Sequence, residues 1–250
     1  MSYFVVLGAA FVAGAINSVA GGGTLLSFPA LVWVGLPSTI ANATSATAIW
    51  PGSLGALWGY RRDLEGVQPR TYLLTAPSIV GSVIGAVLLA MTPTSVFDRI
   101  IPLLIFFATV LFMLQEPVQR LVKTTGAHEA SARWLMSALV FQLLVAIYGG
   151  YFGAGMGILM LAAFGIMGFT DIHQMNGLKN FLSLCINGVA SAYFVWQGMV
   201  SWPHALVMAV GAVGGGIWGA SLARRVGPRA VRRIVVIVGF SMAISLLFRL

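Results

Sequence analysis

Ten apolar stretches, separated by short charged or turn-rich breaks, make up most of this chain. They run roughly over Tyr3–Ile16, Thr24–Leu36, Thr39–Tyr60, Thr71–Met91, Val96–Leu114, Trp134–Gly149, Gly157–Phe169, Ile172–Trp196, Pro203–Ala223 and Val231–Phe248. Only 8% of the 250 residues are charged, against about 25% in a soluble globular domain. So few charges cannot cover a water-facing surface, which excludes soluble enzymes, nucleic-acid-binding modules and disordered proteins together. Runs near 20 apolar residues match the hydrocarbon thickness of a bilayer. The expected fold class is an all-α polytopic membrane protein, with its function inside the bilayer.

The net charge of +8 carries topological information rather than a signal for nucleic acid. Numbering the loops alternately places Arg61, Arg62, Arg70, Arg120, Lys123, Arg133, Arg224, Arg225, Arg229, Arg232 and Arg233 on one face, and only Arg99 and Arg249 on the other. Excess Lys and Arg mark the cytoplasmic side. Both termini are therefore expected outside, and periplasmic if the membrane is a bacterial inner one. Met1-Ser2-Tyr3 leads into apolar sequence without a basic region, which speaks against a cleaved signal peptide. The lone Cys185 can form no internal disulfide. Four stretches, Tyr3–Ile16, Thr24–Leu36, Trp134–Gly149 and Gly157–Phe169, look short enough to be re-entrant or broken.

The sequence repeats itself at a constant offset of 134 residues. Gly21-Gly22-Gly23 meets Gly155-Met156-Gly157, Leu25 meets Leu159 and Asn42 meets Asn176. Gly81, Gly85, Ile100 and Phe106 meet Gly215, Gly219, Ile234 and Phe240. The expected organisation is a first repeat over residues 1–114, a cytoplasmic linker over 115–133 and a second repeat over 134–250. Five segments per half is an odd number, so the second half enters from the opposite face. Such inverted repeats underlie alternating access in many secondary transporters.

Candidate chemistry gathers at two places. Ala20–Thr24 and Gly153–Gly157 interrupt apolar sequence at matched positions, where broken helices survive only if they line a cavity or are buried. Backbone N–H groups at Gly21, Gly22, Gly23, Thr24, Gly153, Gly155 and Gly157 would suit an anion. Close helix packing is the plainer reading of glycines, and the preferred one for Gly81, Gly85, Gly215 and Gly219. The second place is a polar stripe: Asn176, Lys179, Asn180, Ser183 and Asn187 fall at i, i+3, i+4, i+7 and i+11 on one helical face. Asn42, Ser45 and Ser53 form a weaker copy, and the two stripes are expected to wall a polar cavity.

All six acids lie in loops or at the outer edge, Asp98 and Asp171 among the latter. A cation carrier or carboxylate proton relay normally needs an acid within the membrane. Lys179 amid amides and hydroxyls describes an anion site instead, although a lysine that snorkels outward or pairs with Asp171 is the bland alternative. His173 reads as an interfacial polar residue. No metal-ligand spacing and no nucleotide-binding motif occurs, so neither cofactor nor enzymatic activity is expected.

The stretch Gly14-Ala15-Ile16-Asn17-Ser18-Val19-Ala20-Gly21-Gly22-Gly23-Thr24-Leu25-Leu26-Ser27-Phe28-Pro29 resembles the first-repeat signature of the TauE/SafE sulfite-exporter family. Ala41-Asn42-Ala43-Thr44-Ser45, Trp50-Pro51-Gly52-Ser53 and Gly59-Tyr60-Arg61-Arg62 resemble it too. In the second half the likeness lies in Gly149-Gly150-Tyr151-Phe152-Gly153-Ala154-Gly155-Met156-Gly157 and Asn176-Gly177-Leu178-Lys179-Asn180. The resemblance implies export of sulfite or an organosulfonate through the bacterial inner membrane. With the site residues above, it points to a secondary anion transporter working by alternating access. Proton coupling and a homo-oligomer are compatible with it. The rival readings are an anion channel and a non-transporting assembly subunit whose polar stripes hold partner helices.

Overall fold

The computed structural model describes residues 2–19, 22–59, 69–124, 132–167, 169, 171–226 and 228–247. They form helices α1 (Ser2–Val19), α2 (Thr24–Trp33), α3 (Ser38–Gly59), α4 (Thr75–Met91), α5 (Thr94–Thr124), α6 (Ala132–Tyr151), α7 (Met156–Ile166), α8 (Ile172–Trp196), α9 (Trp202–Val226) and α10 (Pro228–Leu247). A 3₁₀ turn at Pro69–Leu74 leads into α4, and no strand occurs among the described residues.

The polarity of this bundle is that of a membrane protein. Leu103, Val210, Ile217 and Ile237 are exposed, while Ser78, Ser82, Thr109 and Gln142 are buried. Water would drive the opposite arrangement; lipid tolerates it, because the buried polar groups find partners on neighbouring helices. Gln142 Nε2 donates to Ser78 Oγ at 2.8 Å and Ser82 Oγ to the Ile186 carbonyl at 2.6 Å. Thr71–Met91, Thr94–Leu114 and Gln174–Trp196 are long and apolar enough to cross, with mean hydropathies of 2.1, 2.1 and 1.2.

Helix lengths refine the sequence reading. The four stretches expected to be short all fall among the shorter apolar helices, as Tyr3–Asn17, Thr24–Trp33, Met136–Tyr151 and Met156–Gly165. Two of the helices that carry them run beyond the apolar part: α1 has 18 residues and α6 has 20, about 27–30 Å. Only α2, with 10 residues, and α7, with 11, are half-length. α5 runs on through Pro117 to Thr124, so helix continues well into the stretch read as linker. Residues 60–68, which hold Arg61 and Arg62, lie outside the described residues.

Packing pairs α1 with α9, α4 with α6, α3 with α8 and α9, α4 with α8, and α5 with both α7 and α10. Small residues allow the closest approaches. A Cβ on Gly85 would collide with the Ile147 carbonyl, one on Gly81 with that of Leu143, and one on Gly215 with that of Phe11. The plain packing reading of these glycines is what the structure shows. Contacts also fix relative direction. Ser78 meets Gln142 while Gly85 meets Ile147, so α4 and α6 run parallel. Trp50 Nε1 donates to the Leu184 carbonyl at 3.1 Å, and the Thr44 hydroxyl accepts from the Ser201 amide at 3.0 Å. The start of α3 therefore lies beside the end of α8, and these two helices are antiparallel.

Candidate functional site

Lys179 sits about two turns into α8 and is 8% exposed. Its side chain leans toward the start of α8, as helical side chains do, and Nζ donates to Asn176 Oδ1 at 3.1 Å. The stem crosses the first turn of α7: a Cβ on Gly157 would stand 3.1 Å from Lys179 Cδ. No carboxylate among the described residues pairs with the ammonium. Neither a snorkelling lysine nor an Asp171–Lys179 pair is what the structure shows. Asp171 is exposed and accepts from the Gln174 amide at the start of α8.

The α6–α7 break explains why the glycines stand where they do. Gly153 at φ 79° and Gly155 at φ 80° occupy the left-handed region, which L side chains rarely adopt. Gly155 is the N-cap of α7, so the chain turns sharply and aims the first turn of α7 at Lys179. The first-half run works differently. Gly23 caps α2 at φ −56°, and no positive φ occurs at Gly22 or Gly23. These two glycines serve contact: Gly23 lies against the Ala13 carbonyl and Gly22 against the Phe112 ring. The Gly22 amide donates to Asn17 Oδ1 at 3.2 Å, and Thr24 opens α2 half-buried. Gly21 lies outside the described residues.

The two polar stripes do not face each other as a pair of walls. Because α3 and α8 cross antiparallel at Trp50 and Leu184, Asn42 and Lys179 lie on opposite sides of the crossing, on the order of 15–20 Å apart along the helices. Asn42, 2% exposed, donates from Nδ2 to the Tyr151 carbonyl at 2.9 Å, at the end of α6. Asn187 reaches the same break, with Oδ1 3.9 Å from the Cβ position of Gly153. Ser45 lies apart from Lys179 and shares a 2.7 Å hydrogen bond with Ser27, which itself donates to the Gly23 carbonyl. Ser183 touches the Met160 sulfur at 3.9 Å, and Asn180 is half-buried beside Lys179 in sequence.

Sequence reasoning missed a cavity of about 300 Å³ walled by Phe28, Leu36, Ser38, Thr94, Asp98 and Leu246. Its polar rim is tied by the Ser38 hydroxyl donating to Asp98 Oδ1 and by Thr39 bonding Thr94 at 3.1 Å. Ser38 and Asp98 are 60 residues apart, so no local pattern could have signalled them. The charged group at this cavity is a carboxylate, which repels anions, so the cavity and the Lys179 region differ in chemistry.

Residues 6–246 match the family described as Sulfite exporter TauE/SafE. A Haemophilus influenzae protein named probable membrane transporter protein is 28% identical over 244 residues, covering 95% of this chain and 91% of its own. The Escherichia coli K12 probable membrane transporter protein YfcA is 30% identical over 244 residues, covering 96% of this chain and 87% of its own. A Sinorhizobium protein, probable membrane transporter protein ORF9, is 28% identical over 243 residues, covering 96% and 90%. No solved structure matches the chain significantly. With nearly its whole length matched, the chain belongs to the TauE/SafE sulfite exporter family.

Proposed function

We propose that this membrane transporter is a secondary carrier exporting a small anion, sulfite or an organosulfonate, across the bacterial inner membrane by alternating access. The observation that carries the reading is the buried Lys179 ammonium, held by an amide and lacking a carboxylate partner among the described residues. A charge taken out of water is costly unless paired. Here the missing counter-charge is the substrate. Lys179 would supply charge, Asn176, Asn180 and Ser183 hydrogen bonds, and the first turn of α7 at Gly155 and Gly157 its partial positive end. The family description names sulfite, whose compact, hydrogen-bond-accepting oxygens suit that donor set.

Two inverted repeats would provide the moving parts. Residues on a two-fold axis must meet their own equivalents. Trp50 bonds Leu184 across the repeat offset of 134, and the Phe106 and Phe240 rings, separated by the same offset, stand 5.7 Å apart. Exchanging the halves also maps the packing onto itself: α1–α9 becomes α6–α4, α3–α9 becomes α8–α4, and α5–α7 becomes α10–α2. These features support rocking of one half against the other around a central site. In this reading the arginine-rich loops face the cytoplasm and both termini the periplasm. Expulsion of an anion by an inside-negative potential needs no coupled proton, although proton coupling and a homo-oligomer fit the same scheme.

Purified protein in liposomes provides the test. Saturable sulfite or sulfonate flux with counter-flow is expected, and it should vanish in a Lys179→Met protein. Unitary currents would instead identify a channel, and absence of any flux an assembly subunit. Topology reporters at Arg61–Arg70 and Arg224–Arg233 should both read cytoplasmic; opposite readings would remove the inverted repeat.

A further inference from the structure

The side of the α6–α7 break away from Lys179 has its own chemistry. α6 ends at Tyr151, and the last carbonyls of a helix lack intrahelical donors and carry partial negative charge. Some are taken up locally. The Tyr148 carbonyl accepts from the Phe152 and Gly153 amides, and the Ala154 carbonyl accepts from the Tyr148 hydroxyl at 2.5 Å. Asn42 takes the Tyr151 carbonyl through Nδ2, which fixes the orientation of its amide. Its other atom, Oδ1, is buried and meets no donor among the described residues. A second buried oxygen, Ser191 Oγ, in a residue 4% exposed, also lacks a partner among the described residues.

These atoms converge in level. Ser191 stands one helical turn beyond Asn187, whose Oδ1 approaches Gly153. Counted antiparallel from the Trp50–Leu184 contact, Asn42 falls opposite residue 192, within about one residue of Ser191. Asn42 Oδ1 therefore stands at the negative pole of α6, and Ser191 Oγ lies at about its level on the neighbouring helix. Oxygen-only sites select hard cations. A divalent ion would leave two charges uncompensated where no carboxylate among the described residues bonds Asn42 or Ser191, and small divalent ions lose their water reluctantly. Unwound carbonyls and half-helix C-terminal ends are a setting in which transporters hold monovalent ions.

We propose that Asn42 Oδ1, Ser191 Oγ and the carbonyl end of α6 bind Na⁺ on the opposite side of the α6–α7 break from the anion. No membrane-embedded acid is needed, because the partial negative charge at the end of α6 offsets part of a single positive charge. The coupling of the two ions rests on the anion reading above; the binding of Na⁺ does not. With charges on the order of 15 Å apart and an effective dielectric near 20, each ion raises the affinity of the other several-fold.

The test uses the full-length protein in detergent, melted in sodium chloride and in choline chloride at equal ionic strength. Na⁺ is expected to raise the melting temperature by several degrees. Ser191→Ala removes no side-chain hydrogen bond among the described residues, so it should fold, and it should weaken the apparent Na⁺ affinity about tenfold or more. Asn42→Ala should remove the Na⁺ response. Lys179→Met should keep that response while losing stabilisation by sulfite. Identical melting in Na⁺ and choline would mean the oxygens are satisfied by water, and would overturn the proposal without touching the anion reading. A Na⁺ shift lost in Ser191→Ala, in a protein that sulfite neither stabilises nor crosses with, would keep this site and remove the anion one.

Discussion

Replacing Lys179 by Met isolates the charge from the packing. Methionine is unbranched and nearly as long, so it can retain the contact of the lysine stem with Gly157, where a Cβ position lies 3.1 Å from Cδ and 3.5 Å from Cγ. What is lost is the ammonium. A hydrogen bond to a charged group contributes about 1.5–3 kcal/mol, and two unit charges about 4 Å apart attract by roughly 4 kcal/mol at an effective dielectric near 20. These overlap rather than add, so a loss of about 2–4 kcal/mol in anion affinity is expected, roughly 30- to 1,000-fold. Stability should move little or in the other direction. Asn176 Oδ1 loses a donor, at about 1–3 kcal/mol, but a buried charge with no carboxylate partner among the described residues is removed, which offsets that loss. The assay is sulfite flux into proteoliposomes alongside melting of the same preparation. A variant that melts like wild type and carries sulfite within about threefold of it would refute the reasoning. So would one that unfolds, because Lys179 would then be a structural group.

Three other substitutions probe the surroundings. Gly157→Ala places a methyl against the flexible Lys179 stem, so folding should lose less than about 1 kcal/mol while displacement of the ammonium cuts flux about tenfold, read by melting and transport together. Gly85→Ala instead meets the rigid Ile147 carbonyl; a stability loss of about 1–3 kcal/mol is expected in thermal melting, with sulfite affinity of the folded fraction unchanged. Trp50→Phe removes the indole N–H bonded to Leu184 where α3 and α8 cross, and should lower stability by about 1 kcal/mol. An unchanged melting curve would show that this contact is incidental to the crossing.

The fold class was legible because charge scarcity is a property of the whole chain, and no local detail can reverse it. Helix ends were not. Arg133 and Trp134 read as the entry to a span, yet α6 starts at Ala132, because polar residues can remain helical at a membrane interface. Gln115-Glu116-Pro117 reads as a break, yet α5 runs on for a further turn or two to Thr124. At the site, a period of 3.6 residues identified the face of α8 but not what each part of that face meets. Lys179 meets Gly157 and Asn187 approaches Gly153, so one stripe serves both sides of a single break. One more step of four residues along the stripe reaches Ser191, and that step was available in the sequence. Asn42 was found by repeat matching, but its partner Tyr151 lies 109 residues away and only the tertiary fold brings them together.

The repeat also isolates what is particular to the second half. Under the offset that matches Gly23 to Gly157, Ser45 takes the place of Lys179. In the first half that position is filled by two hydroxyls, Ser45 and Ser27, 2.7 Å apart and fully buried. A hydroxyl pair therefore suffices to pack such a cradle, and packing alone gives no reason to bury an ammonium in its counterpart. The lysine adds a charge where a neutral solution was available, at a cost in desolvation that the proposed anion would recover. A cation in one cradle and not the other also means that the proposed carrier holds one anion rather than two, and that rocking of the halves turns the same Lys179 toward each side of the membrane in turn.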